Sequence, residues 1–104
     1  MSVIFTYITV PSDALAHKIA AAVVSERLAA CANIIPGMKS VYQWQSKIEQ
    51  RDEVVLILKT QEKFYPALEA RVKALHSDET PCIVALPVTG GNADFLQWIT
   101  NETT

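Results

Sequence analysis

Residues 31–60 read CANIIPGMKSVYQWQSKIEQRDEVVLILKT, and this stretch decides the fold. Its opening, Cys31-Ala32-Asn33-Ile34-Ile35, is apolar and strand-like. Pro36-Gly37 interrupts it, and such a pair inside a strand pattern marks a bulge or bend, usually near a sheet edge. Beyond it Val41, Gln43 and Gln45 alternate with Tyr42 and Trp44, so the pattern continues as one long bent strand to Gln45. Ser46-Lys47 is the expected hairpin turn. Glu53–Thr60 (EVVLILKT) follows as a buried strand with Lys59 at its end.

Working upstream, Val3–Val10 (VIFTYITV) is β-branched and aromatic on both faces, which suits a central strand, and Pro11 ends it. Ser12 and Asp13 are good helix N-caps. Leu15, Ile19, Val23, Val24 and Leu28 then wrap one helical stripe. Working downstream, Phe64, Leu68, Val72 and Leu75 repeat at helical spacing. Pro66 is tolerated only in a first turn, so this helix begins close to Glu62 and ends around His76. Cys82–Leu86 is the last strand, stopped by Pro87. Gly90-Gly91-Asn92 is a turn whose Asn92 caps a short final helix carrying Phe95, Leu96, Trp98 and Ile99.

The element order is therefore β-α-β-β-α-β plus a C-terminal helix: an α+β, ferredoxin-like sandwich in one domain, residues 1–104. Right-handed crossovers place the first and third strands centrally in an antiparallel sheet with both main helices on one face. One short helix is too little to cover the other face. Further copies of the chain are the simplest cover, since exposed strand edges pair readily.

Composition narrows the function. Half the residues are hydrophobic and 19% are charged, too apolar and balanced for disorder. The mean hydropathy of +0.18 is high for so small a domain and again points to subunit contacts. A net charge of −2 gives no cationic footprint for nucleic acid. No apolar run is long enough to span a bilayer, and the first residues lack a signal-peptide pattern. The two cysteines, Cys31 and Cys82, form no CxxC pair and read as reduced thiols of a cytoplasmic protein.

Several ordered motifs resemble those of the CutA divalent-cation-tolerance family. Leu28–Gly37 (LAACANIIPG) matches LAACxNxIPG, and Ser40-Val41-Tyr42-Gln43-Trp44 matches SxYxW. Lys47-Ile48-Glu49 matches the hairpin KIE, and Ile57-Leu58-Lys59-Thr60 the strand end (I/L)KT. His76, Glu79 and Pro81 fall in the HPYExPE region, while Leu86-Pro87 and Phe95–Ile99 (FLQWI) match the C-terminal motif. The resemblance covers essentially the whole chain. It implies a tight homotrimer linked to divalent-metal tolerance, with copper or another divalent cation weakly bound. It also implies an architecture like that of the trimeric PII signalling proteins, which bind small effectors between subunits. The chain departs from the pattern where HPYExPE reads His76-Ser77-Asp78-Glu79-Thr80-Pro81-Cys82, where the hairpin glycine is Ser46, and where some members carry a Cys at the place of Ile8.

The residues themselves offer two ligand readings. His76, Glu79 and Cys82, with Asp78 between them, combine imidazole, carboxylate and thiol, a donor set suited to copper or zinc. No HxxxH, HExxH or CxxC spacing supports it. The competing reading is a polar helix end, with His76 completing the helix dipole and Cys82 buried at a strand start. Alternatively Lys59, Lys47 and Arg51, with Tyr42 and Trp44 as interface or pocket aromatics, draw a small anionic effector to a subunit seam. Lys59 is equally read as a stem over apolar surface with its head in water. Asp13 and His17 read as a solvated helix pair, and Cys31 as a structural thiol. No nucleophile sits beside a base in any local motif, so the chain reads as a binding protein and not an enzyme.

Overall fold

The computed structural model describes residues 2–104. Its elements are β1 (Val3–Val10), α1 (Asp13–Ser25), β2 (Cys31–Trp44), β3 (Lys47–Gln61), a 3-10 turn (Glu62–Phe64), α2 (Tyr65–Leu75), β4 (Ile83–Pro87) and α3 (Ala93–Glu102). The sheet order is β2-β3-β1-β4 with every pairing antiparallel, so β1 and β3 are central, as the crossover rule requires. None of the helices among the described residues is long and apolar enough to cross a membrane.

Pleating sorts the strands onto two faces. In the β1–β3 register Thr6 faces Leu58, Ile8 faces Leu56 and Val10 faces Val54. Ile8, Val10, Val54, Leu56 and Leu58 pack with Ala16, Ile19 and Val23 of α1 and Leu68 and Val72 of α2 into the main core. The intervening residues Phe5, Tyr7, Thr9, Glu53, Val55, Ile57 and Lys59 line the opposite face. There α3 contributes Ile99 to a smaller cluster with Val3 and Ala30, flanked by Phe5, Val88 and Leu96. It covers only one end. Ile35, Val84 and Leu86 remain 46–49% exposed on the same face.

The boundaries differ from the sequence expectation at defined points. The hairpin turns at Gln45-Ser46, not Ser46-Lys47. Both turn residues have positive φ, 51° and 66°, as a two-residue loop matching the strand twist demands, and Trp44 pairs with Lys47. β3 therefore starts at Lys47, and its first residues pair with β2 alone, forming a two-stranded arm beyond the helices. The register shift expected at Pro36-Gly37 lies between Ile35 and Met38. Helix α1 stops at Ser25, so Leu28 packs from the following turn. Arg27 adopts φ 61°, and the N–H groups of Arg27 and Leu28 close back on Val24 and Val23. Helix α2 starts at Tyr65 after the 3-10 turn, which keeps Pro66 in its first turn. Cys82 precedes β4 and is exposed, against the reading that buried it.

Two substitutions test this architecture. Leu56 is fully buried in the main core. Leu56→Ala should therefore remove about 2–5 kcal/mol of stability in chemical denaturation. Gly37 has φ 81°, and a Cβ there would meet nothing within 4 Å. Gly37→Ala should lose roughly 1–2 kcal/mol through backbone strain alone, with no change in the core.

Candidate functional site

The open sheet face carries a groove of about 760 Å³. Tyr7 and Thr9 of β1 and Arg51 and Glu53 of β3 form its floor, and Met38 to Tyr42 with Trp44 of β2 form one wall. The loop after α2 forms the other wall with Ser77, Asp78, Glu79 and Thr80, and Cys82 completes the lining. The arm and this loop thus converge over residues that alternation has turned away from the helical core.

Arg51 organises the floor. Its two terminal nitrogens donate to the two carboxylate oxygens of Asp78, one at 3.3 Å, and Nη2 also donates to Glu53 Oε2 at 2.9 Å. Glu53 is only 5% exposed, and Arg51 is its ion-pair partner. Removing one member of such a buried pair leaves the other uncompensated, which is why the pair is held. The hydrogen bond to Asp78 is the main cause that raises the Arg51 pKa further above the usual guanidinium value. Burial opposes it and Glu53 reinforces it. One Arg51 nitrogen, Nε, is buried with no hydrogen-bond partner among the described residues. At the groove's edge Lys39 pairs with Asp52 at 2.6 Å, but both are largely in solvent. An exposed pair of this kind contributes about 0–1 kcal/mol.

His76 lies behind the loop and is 9% exposed. Its Nε2 is 2.8 Å from the Thr9 carbonyl, and its Nδ1 is 3.0 Å from the Asp78 backbone nitrogen. The Thr9 N–H in turn donates to the Cys82 carbonyl at 3.3 Å. One residue of β1 therefore ties both ends of the loop.

The expected site residues separate. Tyr42, Trp44, Glu79 and Cys82 share the groove. His76 supports its wall with both ring nitrogens engaged. Among the described residues no three His, Cys, Asp or Glu side chains form a group able to hold a metal ion, so His76, Glu79 and Cys82 do not make a cation site within one subunit. Lys47 faces Trp44 across the hairpin but lies outside the groove lining. Lys59 is elsewhere: its Nζ sits 5.1 Å from the Phe5 ring centroid and 5.4 Å from that of Phe95. Phe5 is four positions from Thr9 along β1, roughly 13 Å at strand rise. Cys31 pairs with Lys59 and is half-buried. Asp13 and His17 form an exposed pair at 3.4 Å.

Sequence reasoning missed the Asp78–Arg51–Glu53 chain and the double role of Thr9. The signal for the first was faint: Arg51 and Glu53 are two apart and so share a face just before an apolar strand. The second is a backbone arrangement with no side-chain signature.

Comparison with known proteins places this architecture. Residues 4–102 match the family described as CutA1 divalent ion tolerance protein. The divalent-cation tolerance protein CutA of Thermus thermophilus is 49% identical over 96 residues, 92% of this chain and 93% of the relative. The human protein CutA is 44% identical over 102 residues, where this chain spans 57% of the longer relative. Among solved structures, the Thermus thermophilus divalent cation tolerance protein superposes with a TM-score of 0.96 at 46% identity, covering 98% and 99% of the two chains. CutA1 from Oryza sativa gives 0.97 at 42% identity, covering 100% and 95%. With α1 and α2 on one face of β2-β3-β1-β4 and the groove and α3 on the other, the chain belongs to the CutA1 divalent ion tolerance family.

Proposed function

We propose that this protein serves divalent-cation tolerance as a homotrimeric binding protein, and that its groove is where the cation is held. The match of residues 4–102 to the tolerance family carries this reading. The groove supplies its chemistry. Cys82 offers a soft sulfur and Glu79 a hard carboxylate, both exposed and both in the lining of the groove. A mixed soft and hard donor pair favours copper or zinc over calcium or magnesium. Two donors from one subunit make a weak site, and a second copy seated on the open face would complete it. The apolar Ile35, Val84 and Leu86 on that face, with Trp44 at 40% exposed on the arm, support such a copy.

Two experiments decide these points. Calorimetric titration with copper(II) and with zinc(II) should give saturable binding that falls at least about tenfold in Cys82→Ser/Glu79→Gln. Absence of heat, or the same isotherm in the double variant, removes the groove as the cation site. Sedimentation should give a mass near three times the 11.5 kDa subunit. Trp44→Ala should promote dissociation on dilution, by about 2 kcal/mol or more if the ring is an interface anchor. A dilute, well-folded monomer of the unaltered chain would overturn the assembly.

A further inference from the structure

We infer that His76 is a positioning residue that seats the segment carrying Glu79 and Cys82 in the groove lining, and that it does not itself ligate the cation. The inference rests on the cation reading of the groove proposed above and deepens it.

The hydrogen bonds fix the imidazole. The Thr9 carbonyl can only accept, so Nε2 must carry the proton that it receives. The Asp78 backbone nitrogen can only donate, so Nδ1 must present its lone pair. One neutral tautomer, Nε2–H, satisfies both contacts at once. Coordination requires a free lone pair on a ring nitrogen aimed at the ion. Here one lone pair is occupied by Asp78, and the other nitrogen is protonated toward Thr9. Ligation through either would break a hydrogen bond in a site that is 9% exposed, where water replaces lost partners poorly.

The same bonds give the ring its work. His76 ends α2, with its own N–H on the Val72 carbonyl at 2.8 Å. Its side chain ties that end to Thr9, while the Thr9 N–H holds Cys82. The amide that His76 accepts belongs to Asp78, whose carboxylate is held by Arg51. Glu79 and Cys82 therefore lie between three fixed points: His76, the Asp78–Arg51 contact, and the Thr9–Cys82 bond. Loss of the imidazole frees one end of the loop and slackens the placement of both donors, although the ring never touches the ion. An outer-shell group of this kind governs affinity by orientation.

Long-range proton–nitrogen spectra of the assembled protein labelled at histidine test this directly, with the exposed His17 as internal reference. His76 should show the neutral Nε2–H tautomer, and zinc(II) at saturation should leave both of its nitrogen shifts unchanged. In parallel, His76→Ala should weaken zinc(II) binding about tenfold or more while the assembly stays intact, and His76→Gln, which keeps one donor and one acceptor, should stay within about threefold. A zinc-induced shift at either His76 nitrogen, an Nδ1–H tautomer, or unaltered zinc affinity in His76→Ala would overturn the role. Should zinc(II) not bind at all, the cation reading falls. The metal-free tautomer and the exchange protection of the Asp78 amide, lost in His76→Ala and kept in His76→Gln, then decide the clamp. Should His76→Ala fail to assemble, the zinc affinity of His76→Gln and the spectra of the unaltered chain decide the role instead.

Discussion

The register between β1 and β3 is the constraint on which the molecule depends. It runs unbroken from Val3 opposite Gln61 to Val10 opposite Val54. Because side chains alternate, this one alignment assigns Ile8, Leu56 and Leu58 to the helices and Thr9 and Glu53 to the groove. A slip of one residue would exchange the two sets. It would drive Glu53 into the apolar layer and turn Leu56 toward water. The hydrophobic core therefore fixes the position of the polar site, and the groove inherits its geometry from packing on the far side of the sheet.

The second constraint is where regular pairing stops. β3 runs past β1, so its first residues have only β2 as a partner. The irregularity between Ile35 and Met38 falls where this arm leaves the body. Bulges bend a strand and increase its local twist. Here the bend carries Tyr42 and Trp44 over the face that also bears Thr9, opposite the loop from Ser77 to Thr80. Gly37 at φ 81° makes the conformation available without Cβ strain. The pocket is thus built by a departure from ideal sheet geometry combined with a loop held by hydrogen bonds.

These two devices differ in how far sequence reveals them. The period-two alternation around Tyr42 and Trp44, the Pro36-Gly37 break and the apolar run through Leu58 were enough for the element order and the two central strands. Turn placement was off by one residue, because Gln45 is not a residue type that advertises positive φ. Leu28 sits outside its helix because Arg27 enters the left-handed region, again without a glycine to announce it. In the site, proximity in sequence suggested His76, Glu79 and Cys82 as one group. The fold sends Glu79 and Cys82 to the groove and turns His76 inward to a backbone carbonyl 67 positions away. Contacts of that range are set by the whole fold and leave no local pattern.

Charge pairing bears on the ligand proposed for the groove. An anion would need a cation with charge to spare. Arg51 faces both Asp78 and Glu53, so the three together are negative. Lys39 is matched by Asp52, and Lys59 rests over Phe5 and Phe95 at the other end of the sheet. Glu79 adds a further carboxylate to the rim and forms no ion pair among the described residues. With walls that hold off some of the solvent, such an excess of negative charge attracts cations and repels phosphates and carboxylates. The electrostatics of the groove thus support the proposed preference for a divalent cation over a small anionic effector. That preference originates in a single arginine being outnumbered by the carboxylates around it.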